Sequence, residues 1–104
     1  MAKYKIKFSK DARNDYFNII RYIKYKLFEP DIANNYAKMI KEEINKLEYT
    51  PQSFAIIPND TIKYNNIRKL IIKNYIVFYR VNESDKMVNI ERILYGASNW
   101  EEII

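Results

Sequence analysis

The chain has 104 residues, which fits a single folded domain, and its 48% hydrophobic and 15% aromatic content is enough to build a packed core. It contains no Cys and no His, which excludes disulfides, thiol nucleophiles, imidazole bases and zinc sites built from those residues. The net charge of +5 suits phosphate backbones and acidic proteins as partners without choosing between them, and the single Gly excludes a glycine-rich phosphate loop.

The first predicted element is a half-buried strand over Lys3 to Phe8. In this segment apolar residues at even positions alternate with lysines at odd positions, so the two kinds of side chain lie on opposite faces. We expect the apolar face to be buried and the lysine face to contact water.

Two helices are predicted next. The first runs from about Asp11 to Leu27, because Ser9 is suited to cap it, an acidic residue lies in its first turn and apolar residues recur at helical spacing. Pro30 begins the second helix, which must end before Pro51. The short link between them predicts an antiparallel hairpin with both apolar stripes against one surface.

A loop and three strands complete the prediction. Gln52 to Tyr64 is predicted to be a loop with a turn at Pro58 to Asp60. The strands cover Ile67 to Ile72, Tyr75 to Val81 and Met87 to Tyr95, each rich in β-branched or aromatic residues. They should form a meander. The expected fold is α+β, in the order β-α-α-β-β-β, with the helical hairpin packed on one face of an antiparallel sheet.

The register of the strands follows from the connections between them. A two-residue turn at Lys73-Asn74 predicts that Arg68 lies opposite Tyr79. An odd-length connection before the last strand would place Tyr95 on the face of Tyr79 and Ile90 on the other face, and an even-length connection would reverse both. The residues expected in the core are Ile23, Tyr36, Ile40, Ile44, Phe78 and Ile90.

The organisation of the chain predicts one cytoplasmic domain over residues 1–104. The opening residues are charged and alternating, without the apolar core of a signal peptide, and no stretch approaches the roughly 20 apolar residues of a membrane span. There is no internal repeat or interdomain linker. We expect no cofactor and no metal.

Three segments and the order of the elements resemble the RelE/ParE toxins of type II toxin-antitoxin systems, of the plasmid-stabilisation type. The segments are Arg68-Lys69-Leu70, Asn74-Tyr75-Ile76-Val77-Phe78-Tyr79-Arg80-Val81 and Arg92-Ile93-Leu94-Tyr95-Gly96. The similarity covers nearly the whole chain. It implies a toxin that inhibits growth until an acidic antitoxin protein binds it, with DNA gyrase or the ribosome and its mRNA as the target.

The superfamily has two branches, one that cleaves messenger RNA on the ribosome without a metal and one that poisons DNA gyrase. Ribonuclease members commonly carry Arg directly after the strand Tyr, where this chain has Ile76 after Tyr75. They also tend to have basic, His or Tyr groups near the C-terminus, whereas the residues after Gly96 supply no cation. The resemblance slightly favours gyrase poisoning, with the ribonuclease and an attenuated, noncatalytic binding module as alternatives.

Candidate site residues depend on the branch. Cleavage of RNA requires a base, an acid and cations around the phosphorus. If the chain is a ribonuclease, Glu91 is the candidate base and Tyr95 the candidate acid. The candidates for target or phosphate binding are Arg68, Lys69, Arg80 and Arg92. A structural role is the alternative for each, and Arg68 in particular could pair with Glu91 across the sheet.

Overall fold

A helical hairpin and a four-stranded sheet make up the fold in the computed structural model, which describes residues 3–58 and 65–104. In chain order the elements are β1 (Lys5–Phe8), α1 (Lys10–Arg21), α2 (Pro30–Asn45), β2 (Arg68–Ile72), β3 (Tyr75–Asn82), β4 (Met87–Tyr95) and α3 (Trp100–Ile103). The predicted α+β fold is confirmed. The predicted turn at Asn59 and Asp60 lies outside the described residues. None of the described helices has the length and apolar character needed to cross a membrane.

The sheet has the strand order β1-β4-β3-β2. Strands β2, β3 and β4 form the predicted antiparallel meander, and Arg68 lies opposite Tyr79 as the short turn required. The expectation of an antiparallel sheet holds for these strands only, because β1 runs parallel to β4. The alternating pattern of β1 indicated its two faces, but it carried no information on which strand would be its neighbour.

The connection between β3 and β4 has an even length. Asn82 pairs with Met87, so that four residues, 83–86, join the strands. Val88 and Ile90 therefore lie on the face that packs against the helices, together with Tyr79. For this half of β4 the even-length alternative is correct.

A β-bulge changes the faces of the second half of β4. Ile90 lies opposite Tyr79, whereas Arg92 lies opposite Phe78, which leaves Glu91 as an extra residue. A single inserted residue shifts all later side chains to the other face. The residues after Glu91 thus return to the faces that an odd-length connection would have given them, and Tyr95 lies on the helix side.

The main core lies between the helical hairpin and the sheet. Its buried residues include Ala12, Ile40, Ile44, Leu47, Leu70, Ile72, Val77, Tyr79, Val88, Ile90 and Ile93. The Tyr79 hydroxyl donates a hydrogen bond of 2.7 Å to the carbonyl oxygen of Pro51. Burial raises the pKa of Tyr79 to about 12, so this donor keeps its proton at physiological pH.

Five of the six residues expected in the core are buried. They are Ile23, Ile40, Ile44, Phe78 and Ile90. Tyr36 is only half-buried, and its ring is in edge-to-face contact with the Tyr75 ring, with 5.8 Å between the ring centroids.

The other face of the sheet carries a smaller apolar cluster that the sequence analysis did not predict. It contains Ile57, Ile67, Ile76, Phe78 and Ile104, with Leu94 and Trp100 packed against them. The short helix α3 supplies Trp100, whose ring centroid lies 5.2 Å from that of Phe78. Each face of the sheet therefore carries an apolar cluster, and Trp100 packs α3 against the second face.

The connection between α1 and α2 has an unusual backbone conformation. α1 passes into a π-helical turn at Tyr22–Lys26, where the Leu27 amide donates to the Tyr22 carbonyl over 3.2 Å. Phe28 follows with a φ of +53°, and Glu29 then occupies the N-cap position of α2, where its carbonyl oxygen accepts from the Ala33 amide. The first helix thus reaches about as far as predicted, but its last turn is wider than an α-helix.

Candidate functional site

An apolar groove of about 680 Å³ opens between the helical hairpin and the end of the sheet where β4 finishes. We call it the hairpin groove. The hairpin lines it with Asp15, Ile19, Tyr22, Leu27, Glu29, Ile32 and Tyr36. The sheet lines it with Asn74, Tyr75, Ile93, Leu94 and Tyr95. Its volume lies within the range of about 300 to 1,000 Å³ that is typical of binding pockets.

Four tyrosines line the hairpin groove, namely Tyr22, Tyr36, Tyr75 and Tyr95. Tyr75 stands between two of the others, with ring centroids 5.8 Å from Tyr36 and 5.7 Å from Tyr95, both in edge-to-face contact. Burial, and then the neighbouring phenols, raise the pKa of Tyr75, so its hydroxyl is neutral at physiological pH. The cluster offers ring faces and neutral hydroxyls, which suit the docking of a partner side chain.

The charge of the hairpin groove is opposite to that of the whole chain. Among the described residues the only charged side chains that line it are Asp15 and Glu29, although the net charge is +5. Glu29 is exposed and forms no ion pair with any residue of the described ranges. The groove is thus an apolar surface, and Glu29 is its one unpaired charge among the described residues because Asp15 is paired with Arg92.

Asp15 joins α1 to β4. Its carboxylate accepts hydrogen bonds from Arg92 Nε at 2.7 Å, from an Arg92 terminal nitrogen at 2.9 Å and from the Ile93 amide at 2.9 Å. The hydrogen bond with Asp15 raises the pKa of Arg92, and the guanidinium is held in a two-pronged geometry. Arg92 is therefore a structural partner of Asp15 in this conformation.

Arg80 and Glu91 meet at the bulge. An Arg80 terminal nitrogen lies 3.3 Å from a Glu91 carboxylate oxygen, and both side chains are partly exposed. The Ser9 hydroxyl donates to the Glu91 carbonyl oxygen over 2.7 Å, which ties the start of α1 to the bulged residue. Arg80, Glu91 and Arg92 line a depression of about 310 Å³, which we call the bulge depression.

The two remaining basic candidates lie on β2. Arg68 donates to the carbonyl oxygens of Phe54 at 2.6 Å and Gln52 at 3.2 Å. The alternative in which Arg68 pairs with Glu91 is wrong, because Glu91 pairs with Arg80 instead. The Lys69 ammonium lies 5.5 Å from the centre of the Trp100 ring, in a cation-π contact that leaves the amine at the surface.

The sequence matches one family model, that of the ParE toxin of the type II toxin-antitoxin system parDE, over residues 6–100. The chain belongs to the ParE toxin family. It is accordingly the toxin component of a type II toxin-antitoxin system, as the resemblance implied. No curated protein matches the chain in sequence.

Solved structures share the ParE fold of this chain. A chromosomal ParDE system from P. aeruginosa has a TM-score of 0.73 and 21% identity, covering 91% of this chain and 98% of its own. A RelBE toxin-antitoxin complex from Mycobacterium tuberculosis has a TM-score of 0.65 and 18% identity, covering 94% and 97%. An archaeal RelE-RelB complex from Pyrococcus horikoshii has a TM-score of 0.57 and 19% identity, covering 93% and 98%. At these identities the similarity shows the shared fold.

Within this ParE fold the candidate catalytic residues do not form one constellation. Arg80, Glu91 and Arg92 come together at the bulge depression. Tyr95 lies four positions after Glu91 on β4, roughly 13 Å away along an extended strand, and lines the hairpin groove. Their assigned roles remain predictions. In the described parts of the chain no three His, Cys, Asp or Glu side chains are grouped to hold a metal ion.

Sequence reasoning missed the hairpin groove and the role of Asp15. The groove combines residues from both helices with residues near the end of β4, and no local pattern connects them. A signal for Asp15 was present, because this carboxylate lies within the stripe of Ala12, Tyr16 and Ile19. A charge on the buried side of a helix is expected to have a partner.

Proposed function

We propose that the chain inhibits growth as a ParE-like poison of DNA gyrase and that an acidic antitoxin protein neutralises it. The observation that supports the target is that Arg68, Arg80 and Arg92 are already engaged within the chain, and that Tyr95 lies on the face of β4 opposite to Arg92. RNA cleavage would require an acid, a base and free cations around one phosphate. Poisoning by binding requires no such arrangement. The match to the ParE family supports the same branch.

The hairpin groove is the proposed binding site for the antitoxin. The structures that share this fold include toxin-antitoxin complexes from M. tuberculosis and P. horikoshii. An apolar groove of this size suits the apolar face of an amphipathic helix. Acidic residues elsewhere on the antitoxin would be attracted to the exposed lysines of β1 and to the net charge of +5. This attraction accelerates association at low salt.

The groove assignment predicts that Ile32→Asp weakens binding of the antitoxin at least tenfold, or about 1.4 kcal/mol. Ile32 lines the groove and is 43% exposed, so the folded chain tolerates the carboxylate, but the apolar partner does not. The affinity is measured by calorimetry with the antitoxin encoded beside this chain. Ile56→Asp is the matched control, because Ile56 is 45% exposed and lies outside the groove. Equal losses for the two variants would contradict the assignment.

The target is tested by two assays on the free toxin. We expect inhibition of gyrase supercoiling, or accumulation of gyrase-cleaved DNA, and no codon-positioned cuts when transcript ends are mapped after expression. The Tyr95→Phe variant should arrest growth to within about twofold of the wild-type toxin, because the substitution removes a hydroxyl that the gyrase mechanism does not use. Ribosome-dependent cuts that disappear in Tyr95→Phe would establish the ribonuclease instead. Two blank assays with intact antitoxin binding would favour the noncatalytic module.

A further inference from the structure

The apex of the helical hairpin exposes a group of large apolar side chains. Tyr22, Tyr25 and Leu27 are each half or more exposed, and Phe28 is 82% exposed. Isolated apolar residues on a surface are ordinary, but a contiguous group on a small protein marks an interaction surface. We call residues 22–28 the apex.

The backbone holds Phe28 outwards at a cost. Its φ of +53° lies in the left-handed region, which a bulky residue rarely adopts and which Gly or Asn would occupy with less strain. Amide hydrogen bonds on both sides, from Leu27 to Tyr22 and from Glu29 to Ile23, keep this turn in place. Strain of this kind concentrates at functional positions. Lys73 and Lys86 have a similar φ in the connections between strands, so the distinguishing feature of Phe28 is a large apolar ring that this backbone leaves 82% exposed, and such a ring points to a partner that receives it.

The charges within and directly after the apex indicate the chemistry of that partner. Lys24 and Lys26 precede Phe28, and Glu29 and Asp31 follow it, and none of them forms an ion pair with a described residue. An anionic membrane or a nucleic acid would attract the two lysines but repel the two carboxylates, so it would complement only half of these charges. A surface that carries both signs in the same arrangement would satisfy all four groups.

We propose that the chain without its antitoxin forms a two-fold dimer in which Phe28 of each copy enters the hairpin groove of the other. Leu27, Glu29 and Ile32 line this groove, so Phe28 projects from its edge and a two-fold axis near that edge makes the insertion mutual. The same axis brings Lys24 and Lys26 of one copy towards Glu29 and Asp31 of its partner. The second copy therefore completes an apolar site that a single chain leaves open.

The dimer and the antitoxin would compete for one groove. This consequence, unlike the dimer itself, rests on the antitoxin site proposed above. The antitoxin should then bind only the monomeric toxin. The apparent affinity of the toxin for the antitoxin should therefore fall as the toxin concentration rises.

Sedimentation equilibrium of the purified chain, without antitoxin, tests the dimer. We expect a concentration-dependent mass that rises from 12.6 kDa towards twice that value. Phe28→Asn should raise the dissociation constant at least tenfold, because Asn accepts the positive φ but removes the ring. Tyr49→Asn is the control, since Tyr49 is an aromatic residue with 54% exposure outside the apex and the groove. A wild-type chain that stays monomeric up to its solubility limit would overturn the proposal.

A charge exchange tests whether the partner is a second copy. Lys24→Glu with Lys26→Glu and, separately, Glu29→Lys with Asp31→Lys should each weaken self-association at least tenfold, because like charges then face each other. An equimolar mixture of the two variants should restore association, since each copy now complements the other. Failure of the mixture to associate would exclude the two-fold arrangement. Binding of the wild-type apex to anionic vesicles or single-stranded DNA, lost in Phe28→Asn, would assign it to those partners instead. Neither result depends on gyrase or the antitoxin.

Discussion

Replacing Phe78 with Ala should lower the free energy of unfolding by about 3 to 5 kcal/mol. Phe78 is fully buried in the cluster on the second face of the sheet, and the substitution removes its contact with Trp100 and leaves a cavity. Domains of this size are typically stable by about 5 to 15 kcal/mol, so the loss is a large fraction of the total. Urea denaturation followed by circular dichroism measures the effect, and tryptophan fluorescence reports the environment of Trp100 at the same time.

The matched control for this prediction is Phe17→Ala. Phe17 is 54% exposed on α1, so the substitution should change stability by about 0.5 kcal/mol or less. A loss of only about 1 kcal/mol for Phe78→Ala would mean that α3 and Trp100 do not cover the second face in solution. In that case the variant and the wild type should also have similar fluorescence.

The second large effect is expected for Asp15→Ala. Removing one partner of a buried ion pair costs about 3 to 5 kcal/mol, and the partial exposure of this pair to water reduces the expected loss to about 2 to 3 kcal/mol. The variant leaves both the Arg92 guanidinium and the Ile93 amide without their acceptor. Urea denaturation at neutral pH measures the change.

A double variant separates the ion pair from packing around it. Asp15→Ala combined with Arg92→Met should recover about 1 kcal/mol or more relative to Asp15→Ala alone, because the unpaired charge is gone. Asp11→Ala, at an exposed position of the same helix, should have a small effect. If stability does not recover in the double variant, the loss of unfolding free energy in Asp15→Ala comes from the Ile93 amide and not from the unpaired guanidinium.

Short-range patterns were sufficient to predict most of the elements and part of the register. The two-residue turn at Lys73-Asn74 determined the pairing of β2 with β3, because a turn of that length leaves only one register. The bulge was not predicted, although the sequence carries a local signal for it: the alternation of β4 breaks at Glu91-Arg92, where two charged residues stand together between Ile90 and Ile93. One extra residue there decides whether Arg92 points to the side of Phe78 or to the opposite side.

The candidate site was less predictable than the fold. Basic residues on the strands were visible in the sequence, but the partners that engage them were not. Arg92 and Asp15 are 77 positions apart, and their pairing depends on how α1 crosses β4. The tyrosines of the hairpin groove likewise come from the π-helical turn after α1, from α2 and from two strands, so their convergence follows only from the packing of these elements.

The place of β1 in the sheet has a consequence for how the chain folds. Lys5 pairs with Met87 and Phe8 with Ile90, so the first strand has no neighbour in the sheet until the last strand exists. Closing so long a loop adds little to the free-energy cost of folding but slows it, because distant segments must find each other. The hairpin groove also needs Ile93 and Tyr95 from that strand. During synthesis the groove can therefore form only after β4 has left the ribosome.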